Sequence, residues 1–210
     1  MWRSSALFAG LMAAATVSFA QPDYKPLKPG TLISWSFEFD ETSFSRLSEI
    51  VASGPDFVIY QPDLKYKPNS AASYMVEFSG VHAQTCSEPL PDQDDRRALQ
   101  SLWPLMPGAT ASVRTGAVPA RYQVRTADQA ELIAGGRLPG EAMWVDGQVG
   151  DAELKLLVSK DLGLPIAIEW DAGGSGHVLD VIEPNMPPDT QAEPPTLGYC
   201  AGLLDAEMTN

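Results

Sequence analysis

Positive charge, histidine and cysteine are all scarce in this chain, and each shortage narrows what it can do. Fourteen Lys and Arg stand against 27 Asp and Glu, a formal net charge of −13. A surface of that sign repels phosphate backbones and anionic lipid, so nucleic acid and anionic membrane are demoted as partners. His82 and His177 are the only imidazoles a histidine-dependent mechanism has to draw on. Cys86 and Cys200 stand far apart with no C-x-x-C pair, which leaves zinc without a local pair of ligands. G-x-G-x-x-G and G-x-x-x-x-G-K-[ST] are both missing, and with them the standard dinucleotide and nucleotide phosphate cradles, so no cofactor is expected.

What is present begins with an export signal. Arg3, an apolar run from Ala6 to Val17 broken by Gly10 and Thr16, and then Ser18-Phe19-Ala20 read as a signal peptide over residues 1–20, cut between Ala20 and Gln21. The competing reading is a transmembrane anchor, which needs about 20 apolar residues. This run is shorter and is followed at once by Gln21, Pro22 and Asp23, and no Cys follows it for lipid attachment. Processing removes Arg3 and no acid, leaving 190 residues with a net charge of −14, the size of one domain with a real core. The expectation is a secreted, acidic protein of the bacterial periplasm with no membrane span after processing. In such an oxidising compartment Cys86 and Cys200 are expected to pair, which removes about 4 to 5 kcal/mol of unfolded-state entropy in the loop-closure account. Two independent buried thiols are the alternative.

Residues 21–30 carry three prolines and a glycine and read as an extended lead-in. From Thr31 to Asp40 the chain alternates: Ile33, Trp35, Phe37 and Phe39 fall on one face, Ser34, Ser36, Glu38 and Asp40 on the other, the period of a half-buried strand. Residues 43–52 suit either a helix or a strand. A strand is preferred because Ser53-Gly54-Pro55-Asp56 turns directly into Phe57-Val58-Ile59-Tyr60. A further strand is expected over Ser73–Ser79 and a helix over residues 92–103, with acids in its first turn and a stripe of Ala98, Leu99, Leu102 and Trp103.

Beyond Pro107-Gly108, short alternating runs follow at Ala111–Thr115, Ala120–Thr126, Ala130–Ala134, Glu141–Val149, Ala152–Ser159, Pro165–Trp170 and His177–Ile182. Turn signals about every ten residues predict a meandering antiparallel sheet, mainly β, with one short helix packed against it. Asp171–Gly176 reads as a hairpin loop. The single β-rich domain is placed at 31–183, and residues 184–210 as a Pro-rich tail without a core of its own.

Two short motifs carry a resemblance across residues 99–170: Leu102-Trp103-Pro104-Leu105-Met106-Pro107-Gly108, and Leu162-Gly163-Leu164-Pro165 completed by Glu169 and Trp170. The chain resembles a group of exported bacterial β-rich proteins with "LWPL-x-x-G" and "LGLP-x-x-x-E" elements. The resemblance implies a curved sheet like the half-barrels of periplasmic lipoprotein carriers. It implies no catalytic residue.

Candidate chemistry is thin. Gly173-Gly174-Ser175-Gly176-His177 is not G-x-S-x-G, because His177 stands where the second glycine belongs, and Ser175 and His177 are expected on opposite faces or in a flexible loop. His82 is expected at a strand end, facing solvent or hydrogen-bonded locally. Asp92, Asp94 and Asp95 lack the spacing of a calcium loop and suit a helix start. Trp35, Trp103, Trp144 and Trp170 either line an apolar cavity or fill the core. The function expected is a non-enzymatic binding or interaction protein, for an apolar small molecule. Its rivals are a structural envelope protein that docks a partner protein, and an enzyme using carboxylates.

Overall fold

The alternation at residues 31–40 becomes the first strand of a single sheet. In the computed structural model, which describes residues 24–115, 118–127, 140–184 and 196–208, the elements in order are β1 (Leu32–Phe39), β2 (Thr42–Gly54), β3 (Phe57–Gln61), β4 (Met75–Phe78), β5 (His82–Thr85), α1 (Gln93–Gln100), β6 (Thr110–Thr115), β7 (Val118–Thr126), β8 (Ala142–Val149), β9 (Ala152–Ser159), β10 (Leu164–Trp170), β11 (Gly174–Ile182) and α2 (Ala201–Met208). The proposed leader, the strand candidate Ala130–Ala134 and most of the Pro-rich stretch lie outside the described residues.

All eleven strands run antiparallel in one curled half-barrel sheet of order β5-β4-β3-β2-β1-β11-β10-β9-β8-β7-β6. Residues 43–52 are strand. β2 pairs with β1 on one side (Trp35 with Arg46, Phe37 with Phe44) and with β3 on the other, with an irregularity between Ile50 and Ala52.

The expected hairpin loop at Asp171–Gly176 is shorter in the structure, because β11 already begins at Gly174. Gly173, at φ 83°, closes the turn with its amide on the Trp170 carbonyl, whereas Gly174 and Gly176 serve packing. Gly174 and Gly176 stand opposite Phe39 and Phe37 of β1, and the aromatic rings lie over the bare backbone, a Cβ at Gly176 falling 2.6 Å from the Phe37 ring. Ser175 and His177 therefore occupy a regular strand two residues apart, which puts them on the same face and not on opposite ones.

Two hydrophobic clusters hold the sheet. One contains Phe57, Ile59, Val76 and Phe78 from β3 and β4, Leu99, Leu102, Trp103 and Leu105 from α1 and the turn after it, and Val113, Tyr122, Val145 and Leu156 from the far strands. The other gathers Leu27, Ile33, Trp35, Ile50 and Val58 with Trp144, Leu157, Ile166 and Val178. The lead-in is part of the body: Tyr24 and Leu27 are buried. Gly163 of the LGLP element is packed so closely on the Lys25 carbonyl that no side chain fits, and a Cβ on Gly80 would lie 2.6 Å from the Gly163 carbonyl. Both glycines have positive φ, 65° and 69°, so they meet a conformational and a steric demand together.

α1 is shorter than the expected 92–103. Asp92 caps it, accepting hydrogen bonds from the amides of Asp94 and Asp95, and the chain turns away after Gln100. The helix is tied to the sheet by Arg96, whose Nε and Nη2 donate to Asp56 Oδ2 and Oδ1, both at 2.7 Å, while its guanidinium lies over the Phe57 and Phe78 rings. Trp103 Nε1 donates to the Ser79 carbonyl at 2.8 Å. The tail supplies Leu197, Cys200 and Leu203 to the first cluster. Cys200 and Cys86 lie at bonding distance, with Sγ atoms 2.09 Å and Cα atoms 5.3 Å apart.

The Asp56 side chain is 5% exposed and that of Arg96 24%, so removing one partner strands the other. Asp56→Ala is expected to cost about 3 kcal/mol in urea unfolding. Asp94→Ala, which removes the exposed pair with Arg97, is expected to leave the midpoint where it was.

Candidate functional site

Where the two halves of the curled sheet face each other they enclose a cavity of about 420 Å³. Its walls follow from the strand period. Ile33, Trp35, Phe37 and Phe39 come from the apolar face of β1; Phe44, Arg46, Ser48 and Ile50 are brought beside them by the β1–β2 register. Val58 and Tyr60 of β3 and Met75 and Glu77 of β4 continue the same face. Tyr122, Leu154, Leu156, Ile168 and Trp170 form the opposing wall.

Burial increases along β2 from exposed Arg46 to buried Ser48 and Ile50, so the cavity has a rim and a deep end. The rim is aromatic. Phe37 and Phe44 stack at 5.4 Å, Phe39 and Trp170 at 5.3 Å, and the Arg46 guanidinium lies 5.0 Å above the Phe44 ring. Arg46 also comes within 4.0 Å of Asp63. Phe39 is 39% exposed, so this ring cluster meets solvent.

Polar groups sit at depth. His82 is buried, not solvent-facing, and its partners are not only local: Nδ1 lies 2.6 Å from the Tyr122 hydroxyl, across from β5 to β7, and Nε2 lies 3.3 Å from Gln84 Oε1. The tautomer follows from the network. Gln84 Nε2 donates to the Pro89 carbonyl, which turns Oε1 to the imidazole; Nε2 of His82 must donate to it, and Nδ1 accepts from Tyr122. Burial lowers the His82 pKa, against the opposing pull of the Gln84 hydrogen bond and the Asp95 charge, which favours this neutral form.

Glu77 is the group that alternation conceals. It is 8% exposed, and burial pushes its carboxyl from the ordinary 4.5 up to about 8. Tyr60 and Tyr24 feel it: burial first, and the Glu77 charge second, raise both phenols. The Tyr60 hydroxyl donates to Met75 Sδ at 3.7 Å, and the buried Tyr24 hydroxyl has no hydrogen-bond partner among the described residues.

The sequence candidates fall apart spatially. Trp170 and Trp35 line the cavity, Trp35 belonging also to the second packed cluster, whereas Trp103 and Trp144 belong to the packed clusters alone. Ser175 and His177 are not among the lining residues, and Asp92 is spent on capping α1. Among the described residues no three His, Cys, Asp or Glu gather as a metal site, and no helix is long and apolar enough to cross a membrane. The arrangement offers apolar surface, a cation at the rim and one carboxyl at depth. No protein-family model, curated protein or solved structure matches the chain.

Glu77 is protonated in the fold but ionised in the unfolded chain between its two pKa values, so its contribution to stability is full below about 4.5 and is lost as pH rises to about 8. Glu77→Gln is therefore expected to stabilise the protein at pH 8, by on the order of a few kcal/mol, and to change little at pH 4.5. Urea unfolding of both proteins at the two pH values checks the sign.

Proposed function

We propose that the protein binds a small apolar molecule and shields it from water outside the cytoplasm, in the bacterial periplasm, as a carrier or binding protein without catalytic activity. The observation that carries this reading is the cavity of about 420 Å³ between aromatic walls. It falls within the range of about 300 to 1,000 Å³ typical of small-molecule sites, and close-packed interiors hold few voids of that size. The half-barrel, with Phe37, Phe39, Phe44 and Trp170 at its rim, supports the likeness to lipoprotein-carrier sheets. The Cys86–Cys200 pair at bonding distance supports an oxidising compartment.

Gentle purification from the native envelope followed by native mass spectrometry is expected to reveal a bound apolar molecule, and the emptied protein is expected to take up the neutral dye N-phenyl-1-naphthylamine. Ile168→Trp fills the cavity from β10 and is expected to weaken dye binding about tenfold or more, with the unfolding midpoint held. Wild-type protein that carries nothing and takes up no dye sinks the proposal.

A further inference from the structure

One group in the cavity wall is answered by nothing among the described residues. Glu77 stands between Val58 of β3 and Ala83 of β5 on its sheet face, neighbours that offer no polar side-chain atom. Among the described residues no hydrogen bond or ion pair reaches its carboxyl, and it opens into the cavity. A carboxylate withdrawn from water without donors or a counter-charge is costly unless a proton or a cation completes it. Arg46, the cation among the lining residues, lies at the rim over Phe44, and Arg96 of α1 holds both oxygens of Asp56. The surrounding wall includes the rings of Trp35, Phe37, Tyr60 and Tyr122, whose faces attract positive charge. The net charge of −13 draws cations to the molecule and repels anions.

Resting on the cavity as a ligand site, we propose that its ligand is a lipophilic amine, with the ammonium paired to the Glu77 carboxylate at the deep end and the apolar body along Trp35, Phe37 and Leu156. The empty site is incomplete, and a proton fills it until the amine arrives. Proton and ligand then compete for one carboxylate, and binding at neutral pH releases the Glu77 proton to solvent.

The other titratable groups around Glu77 stay out of this competition. Tyr60 on β3 and Tyr24 on the lead-in are raised by burial and by Glu77 itself, so neither ionises near neutrality. Tyr122 on β7 is raised by burial. His82 on β5 is lowered from 6.5 and is neutral above it. Asp56, beyond Tyr24, is held by Arg96. Amine affinity therefore depends on the ionisation of Glu77, whose pKa in the empty site is about 8.

The test is a head-group series of constant tail: octylamine, 1-octanol and octanoic acid titrated into the full chain, read by the fluorescence of the cavity tryptophans and by calorimetry. Octylamine is expected to bind about tenfold or more tighter than octanol at pH 8, its affinity rising about tenfold per unit from pH 6 to pH 8 and then levelling. Glu77→Gln is expected to abolish both the preference and the pH slope, and its cooperative urea unfolding reports that the variant is folded. Octanol or octanoic acid binding as tightly as octylamine to wild-type protein overturns the amine and leaves the cavity reading standing; a win for octanoic acid points to Arg46 at the rim. Failure of all three to bind removes the cavity reading and the amine with it.

Discussion

One strand pairing makes the molecule a single body: β1 with β11. Every other neighbour in the sheet is also a neighbour in sequence, two meanders that each grow by hairpins. Only the seam between Leu32–Phe39 and Gly174–Ile182 joins the beginning of the domain to its end. The seam is also where the largest rings need room, and the bare backbones of Gly174 and Gly176 beneath Phe39 and Phe37 provide it. The chain then leaves one edge at β5, crosses through α1, and re-enters at the opposite edge, β6. A link of that kind pulls the edges together, so that His82 near one touches Tyr122 near the other at 2.6 Å. The hollow follows from the topology.

That hollow shapes the energetics around it. Burial of Phe57, Phe78, Leu99 and Leu105, all at 0% exposure, stabilises the end closed by α1. The space between β1–β4 and β7–β10 gives up the dispersion contacts a filled core would have. The same low-dielectric surroundings that make apolar walls favourable for a ligand raise the Glu77 carboxyl to about 8 and favour its neutral form. Stability is concentrated where the Arg96–Asp56 pair and the Cys86–Cys200 pair gather α1, β3 and the tail.

Much of the sheet was legible because its strands are half-buried. Ile33, Trp35, Phe37 and Phe39 alternate with polar residues, and that period is the fold. Legibility failed where both faces are covered. In β4 the pattern Met75-Val76-Glu77-Phe78 puts an acid where alternation implies solvent, yet the residue is buried because α1 covers one face and the cavity lies at the other. β5 is too short and too polar, His82-Ala83-Gln84-Thr85, to show any period. Glycines at 173, 174 and 176 signal a loop by composition, and only the opposing rings of β1 reveal two of them as strand positions. α2 was hidden by the prolines before it. The cavity needed the register between distant strands, which no local pattern contains.

The seam has a consequence for the order in which the protein can be made. A chain made amino end first delivers Ile33, Trp35 and Phe37 long before Val178 and its neighbours exist. The leading meander waits with one flank of β1 unpaired and aromatic, and a high sequence separation sets the slow step of assembly. Completion belongs to the last strand to arrive, and only after it can Cys200 reach back to Cys86. The finished hollow therefore forms only once the last strand of the sheet is in place.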